Sequence, residues 1–171
     1  MHATPRPLKF LTMLTILLAA TLLSQFSPLH SQHGKAEDFV LYSIDGKRTV
    51  FYEMLQSLPG DGMLLVNFTS IYCKPCRREI PQLVRIAAGA PARARLVIVY
   101  AEGARQVRPL ATELGILDRT CVDPFGNAQK LYGVTTVPVT FIVAKDRTVV
   151  GRFDGYTDEH IRNIERIVSG K

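Results

Sequence analysis

A chain of 171 residues has room for one ordinary domain and a targeting segment, and hardly for two domains. Apolar residues make up 47%, enough to build a real core. The formal net charge is +6, and removing Arg6 and Lys9 at the N-terminus leaves only +4. The remaining basic residues are scattered among Asp and Glu through 77–119 and 147–166, with no basic stripe interleaved with aromatics, so a nucleic-acid partner is not expected.

Taken in chain order, Arg6 and Lys9 precede the uncharged run Phe10–Leu23. Residues 8–26 lie in length between the apolar region of a signal peptide and a short membrane span. Residues 1–26 are therefore expected to be a signal peptide or a membrane anchor. Positive charge before the run predicts a cytoplasmic N-terminus and export of the chain beyond the run. No small-x-small cleavage signal stands after the run, and no Cys is present there for lipidation, so cleavage and retention both stay open. Residues 27–37 are polar and read as a linker, with a domain over 38–171.

Phe39–Ile44 and Arg48–Phe51 flank the turn signal Asp45-Gly46 and predict a hairpin; Tyr52–Leu58 comes next as a helical turn. Met63–Phe68 and Leu96–Tyr100 are runs suited to strands covered on both faces. Between them, Ile80, Leu83, Val84 and Ala87 have helical spacing, with Pro81 marking a kink. A helix over Ala104–Leu114, a short strand Thr120–Val122 and a helix from Asp123 to about Tyr132 come after these. Strands Val139–Val143 and Thr148–Phe153 and a helix Asp158–Val168, capped by Thr157, complete the chain. The order predicts an α/β domain with a mixed sheet and helices on both faces.

The chemistry sits at Cys73-Lys74-Pro75-Cys76, where a strand runs into a helix. Unpaired N–H groups and the dipole at a helix N-terminus favour thiolate over thiol at Cys73, and thiolate is the nucleophile. Cys76 lies one turn on, within reach of a mixed disulfide. Pro75 stiffens the first turn at little cost, and Lys74, Arg77 and Arg78 add positive charge. A zinc site would need two further Cys or His ligands, and beyond the N-terminal segment and its linker the only candidates, Cys121 and His160, are not spaced as a pair, so no metal is expected. A purely structural disulfide here would close a loop too small to stabilise much. Cys121, in the short strand, reads as a small buried hydrophobe, with a second redox role or pairing with another chain as the alternatives.

The segment Val66-Asn67-Phe68, then Thr69 through Cys76 to Arg77-Arg78-Glu79-Ile80-Pro81, resembles the active-site region of exported thioredoxin-like proteins of the TlpA/ResA type. Asp45-Gly46-Lys47, Asp123-Pro124-Phe125-Gly126, Tyr132-Gly133-Val134 and Val137-Pro138 extend the resemblance over about 38–168. It implies a thioredoxin-like fold with an N-terminal β-hairpin extension. It implies that Pro138 is a cis-proline facing the disulfide, that Val137 offers backbone to a substrate, and that Tyr72, Lys74 and Pro75 contact it. Glu79 matches an acid near the second cysteine proposed to help proton movement; a helix-surface carboxylate beside Arg78 is the competing reading. Asn67 stands where cytosolic thioredoxins bury an Asp. The chain departs from the pattern in having no Trp, with Tyr72 just before the first Cys and Thr69 where a second aromatic is common.

The implied activity is dithiol–disulfide exchange with protein thiol/disulfide substrates, as a reductant in cytochrome c or copper-site maturation, re-reduced by a membrane electron-donor protein. It calls for no cofactor. The Lys-Pro pair between the cysteines does not set the direction. An exported copper-handling protein using the same two thiols is the alternative. A peroxidase is disfavoured, because the Pro-x-x-x-Thr-x-x-Cys arrangement is absent.

Overall fold

Seven consecutive buried residues, Met63–Thr69, form strand β3 in the interior of the sheet. A computed structural model of the chain describes residues 34–170. The expected signal peptide or anchor, and most of the expected linker, lie outside the described residues. The elements are β1 (Val40–Ser43), β2 (Arg48–Val50), α1 (Phe51–Gln56), β3, α2 (Lys74–Gly89), β4 (Ala94–Tyr100) and α3 (Ala104–Glu113), followed by a 3₁₀ turn at Leu117–Arg119. Then come β5 (Thr120–Val122), α4 (Asn127–Leu131), β6 (Val139–Ala144), β7 (Val149–Asp154) and α5 (Asp158–Ser169). The spatial order of strands is β2-β1-β5-β4-β3-β6-β7. Strands β3, β4 and β5 are parallel neighbours, and the other pairings are antiparallel. The sheet is therefore mixed, as expected. The N-terminal hairpin extends it by pairing β1 with β5.

Alternation along the strands divides the core in two. On one face Leu65, Ile98 and Ile142 pack under Ile80 and Leu83 of α2, Val107 of α3 and Ile164 of α5. On the other, Leu64, Val66, Phe68, Val99 and Phe141 meet Phe51 and Leu55 of α1 and Ala128 of α4. Helices thus cover both faces, and the central strands are apolar apart from a few polar residues, Asn67, Thr69 and Thr140 among them, because neither face meets water.

Two boundaries differ from the sequence expectation. Packing begins before Asp38: Lys35 bridges Thr148, and Ala36, within the expected linker, is 2% exposed and donates its N–H to the Arg147 carbonyl. Helix α4 begins at Asn127 rather than Asp123. Asp123–Gly126 forms a turn closed by the Gly126 N–H on the Asp123 carbonyl, and Gly126 takes a positive φ of 65°. The buried Asp123 carboxylate caps α4, accepting from the N–H groups of Asn127 and Gln129 at 3.0 Å each. Asp123→Ala should therefore cost about 1–2 kcal/mol of stability, as loss of a helix cap does. A urea unfolding midpoint that does not move would contradict this.

Candidate active site

The parallel strands deliver their C-terminal ends to one edge of the sheet, and the predicted site residues gather there. Strand β3 ends at Thr69, and the chain turns through Ser70–Tyr72 into α2 with Cys73 as its N-cap. Cys73 and Cys76 form a disulfide, with S–S 2.06 Å. The Cys76 N–H donates to Cys73 Sγ at 3.1 Å, so the first sulfur sits among the free N–H groups of the helix start. Pro75, in the first turn, has no N–H to leave unpaired. Helix α2 runs on through Pro81, whose ring nitrogen has no N–H to donate to the Arg77 carbonyl.

The two sulfurs are not equivalent. Cys73 is half-buried and Cys76 is fully buried, so an incoming partner can reach only Cys73. The Val137 carbonyl oxygen lies 3.7 Å from Cys73 Sγ. The Val137–Pro138 peptide is cis, and the Pro138 carbonyl accepts from the Gly155 N–H at 2.8 Å. Tyr72 is 77% exposed and stands at the surface beside the disulfide. Lys74, Arg77 and Arg78 are all exposed. Arg78 places its guanidinium over the Tyr156 ring at 5.4 Å, and Arg77 donates to the Ile71 carbonyl at 3.4 Å.

Glu79 is not on the helix surface. It is fully buried under α2, and Asn67 of β3 and Thr140 of β6 meet it there. Asn67 Nδ2 donates to Glu79 Oε2 at 2.8 Å and to Thr140 Oγ1 at 2.9 Å, while Thr140 Oγ1 donates to Glu79 Oε1 at 3.3 Å. Burial pushes the Glu79 carboxyl up to about 7; the two donated hydrogen bonds and the field of His160 only partly offset it. An acid titrating near neutrality one turn beyond Cys76 can take up or release a proton at working pH. In the sequence Asn67 stands out only as a replacement. Thr140 gives no signal in an apolar strand, since a threonine there reads as an ordinary β-former. Ser70 and Glu102 give none either, although the Ser70 hydroxyl donates to Glu102 Oε1 at 2.5 Å.

Cys121 is buried in the core on the face of the sheet opposite α2, so it does not join the other two sulfurs. Burial pushes its thiol up to about 11. At pH 8 iodoacetamide should therefore leave Cys121 unlabelled in the folded, reduced chain and label it in urea. Labelling in the folded chain as fast as Cys73 would contradict its inertness. Among the described residues no group of three or more His, Cys, Asp or Glu side chains is disposed to hold a metal ion.

Residues 33–152 match the model of the AhpC/TSA family. A thiol:disulfide interchange protein DsbE homolog from Paracoccus denitrificans (strain Pd 1222) is 29% identical over 142 residues, covering 75% of this chain and 73% of the relative. The thiol-disulfide oxidoreductase ResA of Bacillus thuringiensis subsp. konkukian (strain 97-27) is 26% identical over 123 residues, 71% of this chain and 68% of its own. Among solved structures, the pneumococcal exposed lipoprotein thioredoxin Etrx1 from Streptococcus pneumoniae strain TIGR4 superposes with a TM-score of 0.64 at 19% identity. It covers 79% of this chain and 100% of that one, and the shared feature is the thioredoxin-like fold.

Proposed function

The chain belongs to the AhpC/TSA family and is a thioredoxin-like thiol–disulfide oxidoreductase of the DsbE/ResA type, and from that premise we propose that it is an exported reductant of protein disulfides. The observation that carries the exchange chemistry in this reading is the asymmetry of the sulfurs: a reachable Cys73 at a helix N-terminus and a buried Cys76 behind it. In the reduced protein, the Cys73 thiolate attacks one sulfur of a partner disulfide. The partner's S–S bond breaks, its other sulfur leaves as thiolate, and a mixed disulfide forms. Cys76 then attacks Cys73 Sγ, the partner's remaining thiolate departs, and the Cys73–Cys76 disulfide forms. Two electrons pass to the partner, and the product is the oxidised form of the chain.

In this reading Glu79 takes the proton that Cys76 must lose before it attacks. Val137 and Pro138 form the wall along which the partner's backbone lies. Tyr72, Lys74 and Pro75 make the rest of the contact. Residues 1–26 direct export, as a cleaved signal or a retained anchor, and a membrane electron-donor protein restores the dithiol. The apolar run after Arg6 and Lys9 supports export, as does the fold shared with a protein described as an exposed lipoprotein. The partners proposed are cysteine pairs of apo-cytochrome c haem sites or of copper sites.

The test is a trap. The full-length Cys76→Ser variant, which cannot resolve, should accumulate mixed disulfides through Cys73 with exported proteins carrying Cys-x-x-Cys-His or copper-site thiols. Trapping only cytoplasmic proteins would overturn export, and trapping other disulfide proteins would overturn the maturation role.

A further inference from the structure

The turn that presents Cys73 is held from a neighbouring strand. Strand β4 pairs with β3 in parallel register, Thr69 opposite Tyr100, and the Ala101 N–H donates to the Thr69 carbonyl at 3.3 Å. This carries Glu102, just past β4, to the turn at Ser70–Tyr72. One carboxylate oxygen accepts from the Ser70 hydroxyl at 2.5 Å, and the other accepts from the Ile71 N–H at 3.3 Å. Ser70 in turn organises the next two residues of the approach to α2. Its hydroxyl oxygen accepts from the Tyr72 N–H at 3.2 Å, and its carbonyl accepts from the Cys73 N–H at 3.1 Å. From the far side Arg77 donates to the Ile71 carbonyl at 3.4 Å.

We propose that Glu102 is a positioning residue for the attacking sulfur: through Ser70 and Ile71 it fixes the turn that sets Cys73 at the start of α2 and beside the Val137 carbonyl. The inference rests on Cys73 being the nucleophile. Glu102 touches no reacting atom, and its charge works against a neighbouring thiolate, so its benefit must come from geometry. The two possible effects of removing it have opposite signs. Loss of the charge alone makes the Cys73 thiolate easier to form and raises the rate at low pH, while the less basic thiolate lowers the plateau only slightly. Loss of the clamp lowers the rate on the plateau above the thiol pKa, where every molecule already carries thiolate.

The experiment is single-turnover reaction of the reduced full-length chain with glutathione disulfide across pH, monitoring release of the first glutathione thiol. Glu102→Ala should lower the plateau rate by roughly tenfold, the scale on which small misplacements act. Glu102→Gln, which keeps an acceptor for Ser70, should recover part of that loss. Ser70→Ala should resemble Glu102→Ala, and the double variant should be little worse than either, as expected for two groups acting as one unit. A plateau within twofold of the parent in Ser70→Ala and in whichever Glu102 variant folds would overturn the proposal, and so would losses that multiply in the double variant. Cys73→Ser run alongside separates the premises: if it exchanges at the parent rate, the assignment of the nucleophile fails rather than that of the clamp.

Discussion

Replacing Cys73 by Ser should reduce disulfide exchange to background, a loss on the order of 10³-fold or more, as removal of a nucleophile does elsewhere. A hydroxyl at the same N-cap keeps the fold, because Ser is itself a favoured cap and accepts the Cys76 N–H as the sulfur does. The chemistry is lost because an alcohol at neutral pH is neither ionised nor soft enough to attack sulfur. Replacing Cys76 by Ser should have a different signature. The first step stays fast, since Cys73 remains the exposed sulfur, and turnover stops at the mixed disulfide. Single-turnover and steady-state rates measured on both variants check this. Equal loss of the first step in the two would contradict the division of labour, and a Cys73→Ser chain with normal turnover would end it.

The second large effect is expected at Glu79. Its carboxyl titrates near 7 in the folded chain and near 4.5 in an ordinary setting. Between those values the native state binds more protons than the unfolded one. The stability this carboxyl contributes is therefore fully present below about 4.5 and falls as pH rises through 7. With about 1.4 kcal/mol per unit, the loss amounts to about 3 kcal/mol. Glu79→Gln cannot ionise, and its amide oxygen still accepts from Asn67. The variant should match the parent at pH 4.5 and exceed it by about 3 kcal/mol at pH 8, where the parent carries a buried charge. Other acids contribute to both curves and cancel in the difference. The stabilised variant should nevertheless resolve mixed disulfides more slowly, by on the order of 10²-fold, the low end of general acid–base effects, and without a break in rate near pH 7. Urea unfolding across pH and the rate of the Cys76 step are the two measurements. Parallel stability curves for parent and variant would contradict the raised carboxyl, and an unchanged Cys76 step would remove its proton role.

The central strands are legible in the sequence because both faces of each are covered. Met63–Phe68, Leu96–Tyr100 and Val139–Val143 are apolar almost throughout, and nothing else of that length and composition competes within the domain. The Thr157 cap is legible too, and its hydroxyl accepts from the His160 N–H at 3.1 Å. The cysteine pair is the clearest feature, because two thiols three apart at a strand-to-helix junction have few other uses. Contacts between distant parts of the chain are the features that escape a sequence reading. Glu79 can pass for a surface charge beside Arg78, yet it lies three residues after the buried Cys76 and four before the buried Leu83, on the same stripe of α2. That spacing is the available signal, and charge masks it. Lys35 and Ala36 read as linker because their docking depends on Arg147 and Thr148, more than a hundred residues away. Glu102 reaches Ser70 only through the pairing of β3 with β4, which no local pattern announces. The start of α4 is misplaced because Asp123-Pro124 carries the signature of a helix start, whereas the Asp123 carboxylate reaches forward to cap a helix four residues on.

The measurement that tests the central claim most directly is the reduction potential of the Cys73–Cys76 couple, taken by equilibrating the chain against dithiothreitol or glutathione buffers and counting alkylated thiols. A reductant should show one reversible two-electron couple, absent from either cysteine variant, closer to thioredoxin at about −270 mV than to the oxidant DsbA at about −120 mV. A potential at the oxidising end would make the protein a disulfide donor, and the absence of any reversible couple would contradict disulfide exchange itself.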